Sequence, residues 1–248
     1  MPHWTQDQIL FMGKIAGGFI SAIGLAVVVF TYRRNEMWKR AEFLAREMKE
    51  FFGLARVQKA LVLIDWGERR FDLLEGNPPG GPSVAVTRAI QVRGLLPHIL
   101  LTNDVADPEM TVSDDSSSQD KFRQPQVAIR DCYDGFLDGL ERFASYAQTG
   151  LISVSSLRPY IGYWIEDIAS PTENREDAAW CATLVTYINF YRFDGVLWLF
   201  NEFGYNIYPN SLIYRDFLSR MSDRELASQL ARTLEKPNRP VKDRKSHR

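Results

Sequence analysis

The sequence predicts a mainly α-helical protein, with one N-terminal transmembrane helix that continues into a stalk and then a cytoplasmic helical bundle with at most a short β element. Three observations predict it. Ile15 to Tyr32 is an eighteen-residue stretch without a charge, followed at once by Arg33, Arg34, Lys39 and Arg40. Extended back to Ile9, with Lys14 reaching outward along its aliphatic stem, it spans a hydrocarbon layer of roughly 30 Å. The segment Asn35 to Phe52 then contains neither Gly nor Pro and is rich in good helix formers. Finally, the rest of the chain is dominated by apolar residues at spacings of three and four, with a composition, 45% hydrophobic and 25% charged, ordinary for a globular domain.

These observations divide the chain into an extracytoplasmic N-terminus (1–8), a span (9–32), a stalk (33–55), a helical domain (56–235, loop-rich over 76–124) and a basic tail (236–248). A cleaved leader needs a basic region before the apolar run and small residues after it, and the sequence has neither. Arg33 to Arg70 holds ten Lys/Arg, so the positive-inside rule places the N-terminus outside and the remainder in the cytoplasm. Val196 to Tyr208 is apolar too, but Asn201, Glu202, Gly204 and Asn206 exclude it as a second span. Two cysteines, Cys132 and Cys181, make no disulfide framework, and both fall in apolar helical patterns that suit buried, reduced thiols.

Along the stalk, Met37, Ala41, Leu44, Met48, Phe51 and Ala55 alternate at four and three residues, a heptad seam flanked by Trp38, Ala45 and Phe52. It fits a helix packing on its own domain, or a parallel self-association seam continuing the small-residue faces Gly13, Gly17, Ser21 and Gly18, Ala22, Ala26 of the span. A second helix is expected from Arg56 to Trp66, with Val57, Ala60, Leu61 and Ile64 on one face. An extended piece follows at Arg69 to Leu74, ended by the GNPPGGP run from Gly76 to Pro82. Thr87 onward suits a helix up to Gly94, interrupted by Pro97. Asn103 to Gln124 is acidic, serine-rich and aperiodic, and is read as a solvated loop.

The clearest amphipathic helix is expected at Gln126 to Gln148, with Ile129, Tyr133, Phe136, Leu140, Phe143 and Ala147 inward and Gly150 at C′. Ser155 or Ser156 should cap the next helix, with Pro159 in its first turn and Tyr160, Ile161, Trp164, Ile165 and Ile168 facing inward. Further helices cover Arg175 to Tyr191 and Phe193 to Phe203. Ser222 and Glu225 make a capping box for a last helix through Leu234, and Pro237 and Pro240 end regular structure.

Little in this chain suggests chemistry. Asp131, Asp134, Asp138 and Glu141 lie on one side of the Gln126 to Gln148 helix, where they serve as a solvated face, hold a divalent cation at Asp134 and Asp138, or receive a basic surface. Arg93 and His98 match the arginine–x4–histidine spacing of HEPN ribonucleases, with Gly94 and Pro97 intervening; a helix-ending turn with a polar surface histidine fits the same residues. There is no phosphate loop, CxxC, HExxH or GxSxG. No catalytic, cofactor-binding or metal residue is assigned. The tail carries six bases against one acid, suited to anionic lipid headgroups, to nucleic acid without specificity, or simply to solubility.

The blocks TYRRNEMWKRAEFLAREMKEFF, VQKALVLIDW, AIRDCYDGFLDGLERFASYAQTGLI with RPYIGYWI, and YRFDGVLWLF resemble uncharacterised bacterial membrane-anchored proteins of DUF4760-like layout, over about half of the chain. The resemblance implies a fold and a bacterial inner-membrane location, with no catalytic residues to carry over. The expectation is a single-pass anchored interaction domain that contacts the lipid bilayer and forms a homo-oligomer. The alternative is a membrane-tethered phage-defence effector or HEPN-like ribonuclease.

Overall fold

The computed structural model describes residues 6–73, 84–100, 116–170 and 175–235, with the side chains of 6–22, 71, 84, 99, 116–124, 175, 176 and 235 left outside the description. The fold is mainly helical. Residues 103–115 of the loop expected at Asn103 to Gln124, the proline–glycine run and the basic tail at 236–248 lie outside the described residues.

The chain divides into two compact units, Met1–Lys49 and Glu50–Arg248. The first is built from helix α1 (Gln6–Gly53), which runs without interruption through the expected stalk and ends just inside the second unit. Its residues Ile23, Leu25, Val27, Val28, Val29, Phe30 and Tyr32 are exposed at 45–68%. Among the described residues no helix is long and apolar enough to cross a membrane; the expected span runs into 6–22, whose side chains are not described. The heptad seam does not share one environment. Met37 and Ala41 are exposed, whereas Leu44, Met48 and Phe51 are buried. The helix stops at Gly53 rather than at Ala55, because Leu54 turns extended (φ −71°, ψ 125°) and Ala55 opens the next helix.

In the second unit α2 (Ala55–Asp65) buries Val57, Ala60, Leu63 and Ile64. Strand β1 (Glu68–Phe71) pairs antiparallel with β2 (Val84–Thr87), in a register that sets Glu68 opposite Thr87. The chain passes directly from β2 into α3 (Arg88–Leu95), capped by Thr87. Helix α4 (Ser116–Gln148) starts ten residues before the expected Gln126, inside the stretch read as loop. Gln119 to Gln124 contains no helix breaker, and Pro125 removes only one backbone bond from a 33-residue helix. Its far end is a Schellman turn on Gly150 (φ +73°), with Gly150 N–H donating to Ala147 O and Leu151 N–H to Tyr146 O.

Helix α5 (Val154–Ala169) is capped by Ser153, whose side chain accepts from Ser156 N–H, rather than by Ser155 or Ser156. Pro159 therefore sits in the second turn, and Tyr160 faces outward while Ile161, Ile165 and Ile168 are buried. Helices α6 (Arg175–Phe190) and α7 (Asp194–Glu202) match their patterns. A short α8 (Leu212–Arg220), unforeseen because only Tyr214 and Phe217 anchor it, is capped by Ser211. Asp223 rather than Ser222 caps α9 (Arg224–Glu235), accepting from Leu226 N–H.

Two helices organise the packing. Helix α4 lies against α2, α3 and α7, and α6 lies against α3, α8 and α9. At the α4 side, the fully buried Phe51 ring sits between Phe136 and Phe143 (centroids 6.0 and 5.2 Å away) and comes close against Gly139. A Cβ at position 139 would enter that ring. At the end of α6, Arg192 occupies the left-handed region (φ 61°) as the C′ residue of a second Schellman turn, a place that favours glycine.

Two stability changes follow. Gly139→Ala should destabilise the domain by about 1–3 kcal/mol in chemical denaturation despite alanine's better helix propensity, with Phe51→Leu recovering part of the loss in the double variant. Arg192→Gly should stabilise it by about 1 kcal/mol by removing the left-handed strain.

Candidate functional site

Inside the second unit the charged centre is Arg88, only 7% exposed, at the first position of α3. One guanidinium nitrogen, Nη1, donates to Leu63 O (2.7 Å) and to Gln91 Oε1 (3.2 Å), and Nη2 donates to Ile64 O (2.9 Å). These carbonyls belong to the last turn of α2, which has no further helical donors of its own. Nε pairs with Asp177 Oδ1 at 2.8 Å in the first turn of α6, and the guanidinium lies 4.0 Å over the Trp180 ring. Trp180 Nε1–H donates to Tyr133 O–H (3.0 Å), which donates to Gln91 Oε1 (2.8 Å). Gln91 Nε2 has no hydrogen-bond partner among the described residues. Burial pushes the Tyr133 hydroxyl well above its ordinary value. The network joins α2, α3, α4 and α6 and is buried except at Asp177, whose side chain is 19% exposed.

The expected acid stripe divides in two. Asp134 accepts from Tyr187 O–H (2.6 Å) and Glu141 from the backbone N–H of Val196 (2.9 Å), while Asp131 and Asp138 are exposed. Half the stripe is thus structural. Among the described residues no group of three or more His, Cys, Asp or Glu could hold a metal ion.

Arg93 and His98 do not share a helix. Helix α3 ends at Leu95, Leu96 is extended, and His98 starts a 3₁₀ turn, with both side chains exposed. The His98 ring instead meets Tyr191, with Nδ1 3.1 Å from the hydroxyl, and packs edge-on against Phe190. Arg130, absent from the sequence reading, holds this corner together: Nε donates to Gly94 O (2.6 Å) and Nη2 to Leu96 O. Cys132 and Cys181 are buried and form no disulfide, and burial raises the Cys181 thiol strongly.

Two surface features remain. A groove of about 550 Å³ is lined by Leu54, Arg56, Gly135, Asp138, Gly139 and Arg142. At the end of α2, Trp164 Nε1–H donates to Asp65 Oδ1 (3.1 Å), the Tyr163 and Trp164 rings meet edge-on at 5.7 Å, and Phe52 lies 5.6 Å beyond Trp164. Trp66 and Tyr163 are 54% and 63% exposed, and the Arg69 guanidinium sits 5.0 Å over Trp66. Asp167, one turn beyond Tyr163, is half-buried, and burial raises its carboxyl above the ordinary 3.8, with Asp65 and Asp177 adding to the rise and Arg88 opposing it. Aromatic residues beside carboxylates are visible in the sequence as IDW and YWIED, but only the packing of α2 on α5 brings them together. The chain matches no family model, no curated protein and no solved structure.

Because the buried Arg88 holds two carbonyls and a carboxylate, Arg88→Met should cost about 3–5 kcal/mol in denaturant unfolding, with Asp177→Asn costing less. Asp167 binds its proton more readily folded than unfolded. Its contribution to stability should therefore grow as pH falls from above its raised value towards 3.8, and Asp167→Asn should remove that increment from denaturation curves taken across this range.

Proposed function

We propose that this chain is a single-pass bacterial inner-membrane protein, N-terminus outside, whose cytoplasmic helical domain acts by binding and self-associates through α1. The observation that carries the reading is the surface of α1. Ile23, Leu25, Val27, Val28, Val29, Phe30 and Tyr32 point outward all around the helix with no cover from the chain. Soluble monomers rarely present contiguous apolar surface of that extent, and lipid covers it without any partner protein. The basic residues just beyond, Arg33, Arg34, Lys39 and Arg40, suit the cytoplasmic headgroup layer. Met37 and Trp38, 65% and 72% exposed, continue the apolar surface into the upper seam and are the natural contacts between copies. A binding role also accords with polar clusters that are spent on joining helices.

Alkaline carbonate washing should leave the full chain in the membrane pellet. Ile20→Arg with Ile23→Arg should release it, each arginine costing about 3 kcal/mol near the middle of the 9–32 span. Release of the unaltered chain would refute the anchor. Crosslinking in native membranes should yield dimers or larger species, lost in Met37→Glu with Trp38→Glu; monomers alone would refute self-association.

A further inference from the structure

The aromatic face at the end of α2 combines exposed rings with nearby carboxylates. Trp66 and Tyr163 are large, exposed and rigid, the residue types that dominate binding hot spots. Close to Tyr163 lie two carboxylates, the exposed Asp65 and the half-buried Asp167. The Asp65 side chain accepts only from Trp164 Nε1–H among the described residues, and the Asp167 side chain makes no hydrogen bond or ion pair among them. The nearby guanidinium, Arg88, is already held by Asp177, Gln91 and two carbonyls. Half-buried negative charge beside exposed π faces favours a cation, since ring quadrupole and carboxylate both attract one. The chain itself shows which cation suits the edge of this face, because Arg69 stacks on Trp66 at 5.0 Å. A planar guanidinium both stacks and offers paired donors to a carboxylate, which a quaternary ammonium does not.

We propose that Trp66, Tyr163, Asp65 and Asp167 form a docking surface for an arginine-bearing segment of a partner protein, whose guanidinium inserts beside Tyr163 and pairs with Asp65. This surface is independent of the membrane reading and stands if the anchor fails.

The test uses the full chain in non-ionic detergent and a fluorescein-labelled peptide of alternating glycine and arginine, read by anisotropy. The control peptide carries citrulline, neutral and of the same shape, at every arginine. The arginine peptide should bind and the citrulline peptide should not. Asp65→Asn, whose amide oxygen still accepts from Trp164, and Tyr163→Ala should each weaken binding by about tenfold or more. Asp131→Asn with Asp138→Asn, which removes exposed acids from α4, should leave it unchanged. Equal binding of both peptides, or equal losses in the α4 variant, would overturn the proposal. Binding of tetramethylammonium in place of the arginine peptide, displaced in Tyr163→Ala, would overturn it in favour of a quaternary ammonium ligand. Should Tyr163→Ala unfold, Asp65→Asn alone decides, its fold checked by circular dichroism.

Discussion

One guanidinium organises the second unit. Arg88 begins a helix, yet its side chain serves the end of another, satisfying Leu63 and Ile64 carbonyls at the close of α2 while pairing with Asp177 at the start of α6. A buried charge is tolerated because nearly every donor is used and a Trp180 face covers what is left. The consequence is register. Helix α2 cannot slide along its axis, nor α3 rotate, without uncoupling carbonyls from donors that have no other source. Through Gln91 and Tyr133 the same constraint reaches α4, so the polar chain crosses the core and ties together helices whose apolar contacts alone would permit several packings.

Around that centre, polar side chains are consumed by architecture. Arg130 closes α3 by taking two of its final carbonyls, Asp134 receives the Tyr187 hydroxyl, and Tyr214 and Thr186 satisfy each other inside the core at 2.8 Å.

Much of the helical pattern could be read locally, and the failures have identifiable physical causes. Helix α4 was legible from Ile129 to Phe143 because a long helix with one buried face imposes its period on the sequence. Its early start was hidden by serines and Pro125, which locally favour turns but are outweighed by the length of helix that follows. The caps were misplaced by one to three residues at Ser153 and Asp223, since runs such as SVSS and SD offer several acceptors and only backbone geometry selects one. The Arg88 centre was invisible. An arginine following a strand looks like surface, and nothing in the spacing of Arg88, Gln91, Tyr133, Asp177 and Trp180 says they meet. The acid stripe was legible as a stripe, but which members are structural depends on where Tyr187 and Val196 arrive from distant sequence.

Glu141 carries a consequence for how the chain acquires its shape. Helix α7 has nine residues and begins after Phe193, which supplies no capping side chain; its first-turn N–H at Val196 is satisfied by the α4 carboxylate, which lies so close over Gly195 that a Cβ there would stand 2.6 Å from Glu141 Oε2. A helix this short does not hold itself in water. The geometry makes α7 depend on α4: the Glu141 carboxylate stands where a capping side chain would, more than fifty residues upstream of the helix it starts.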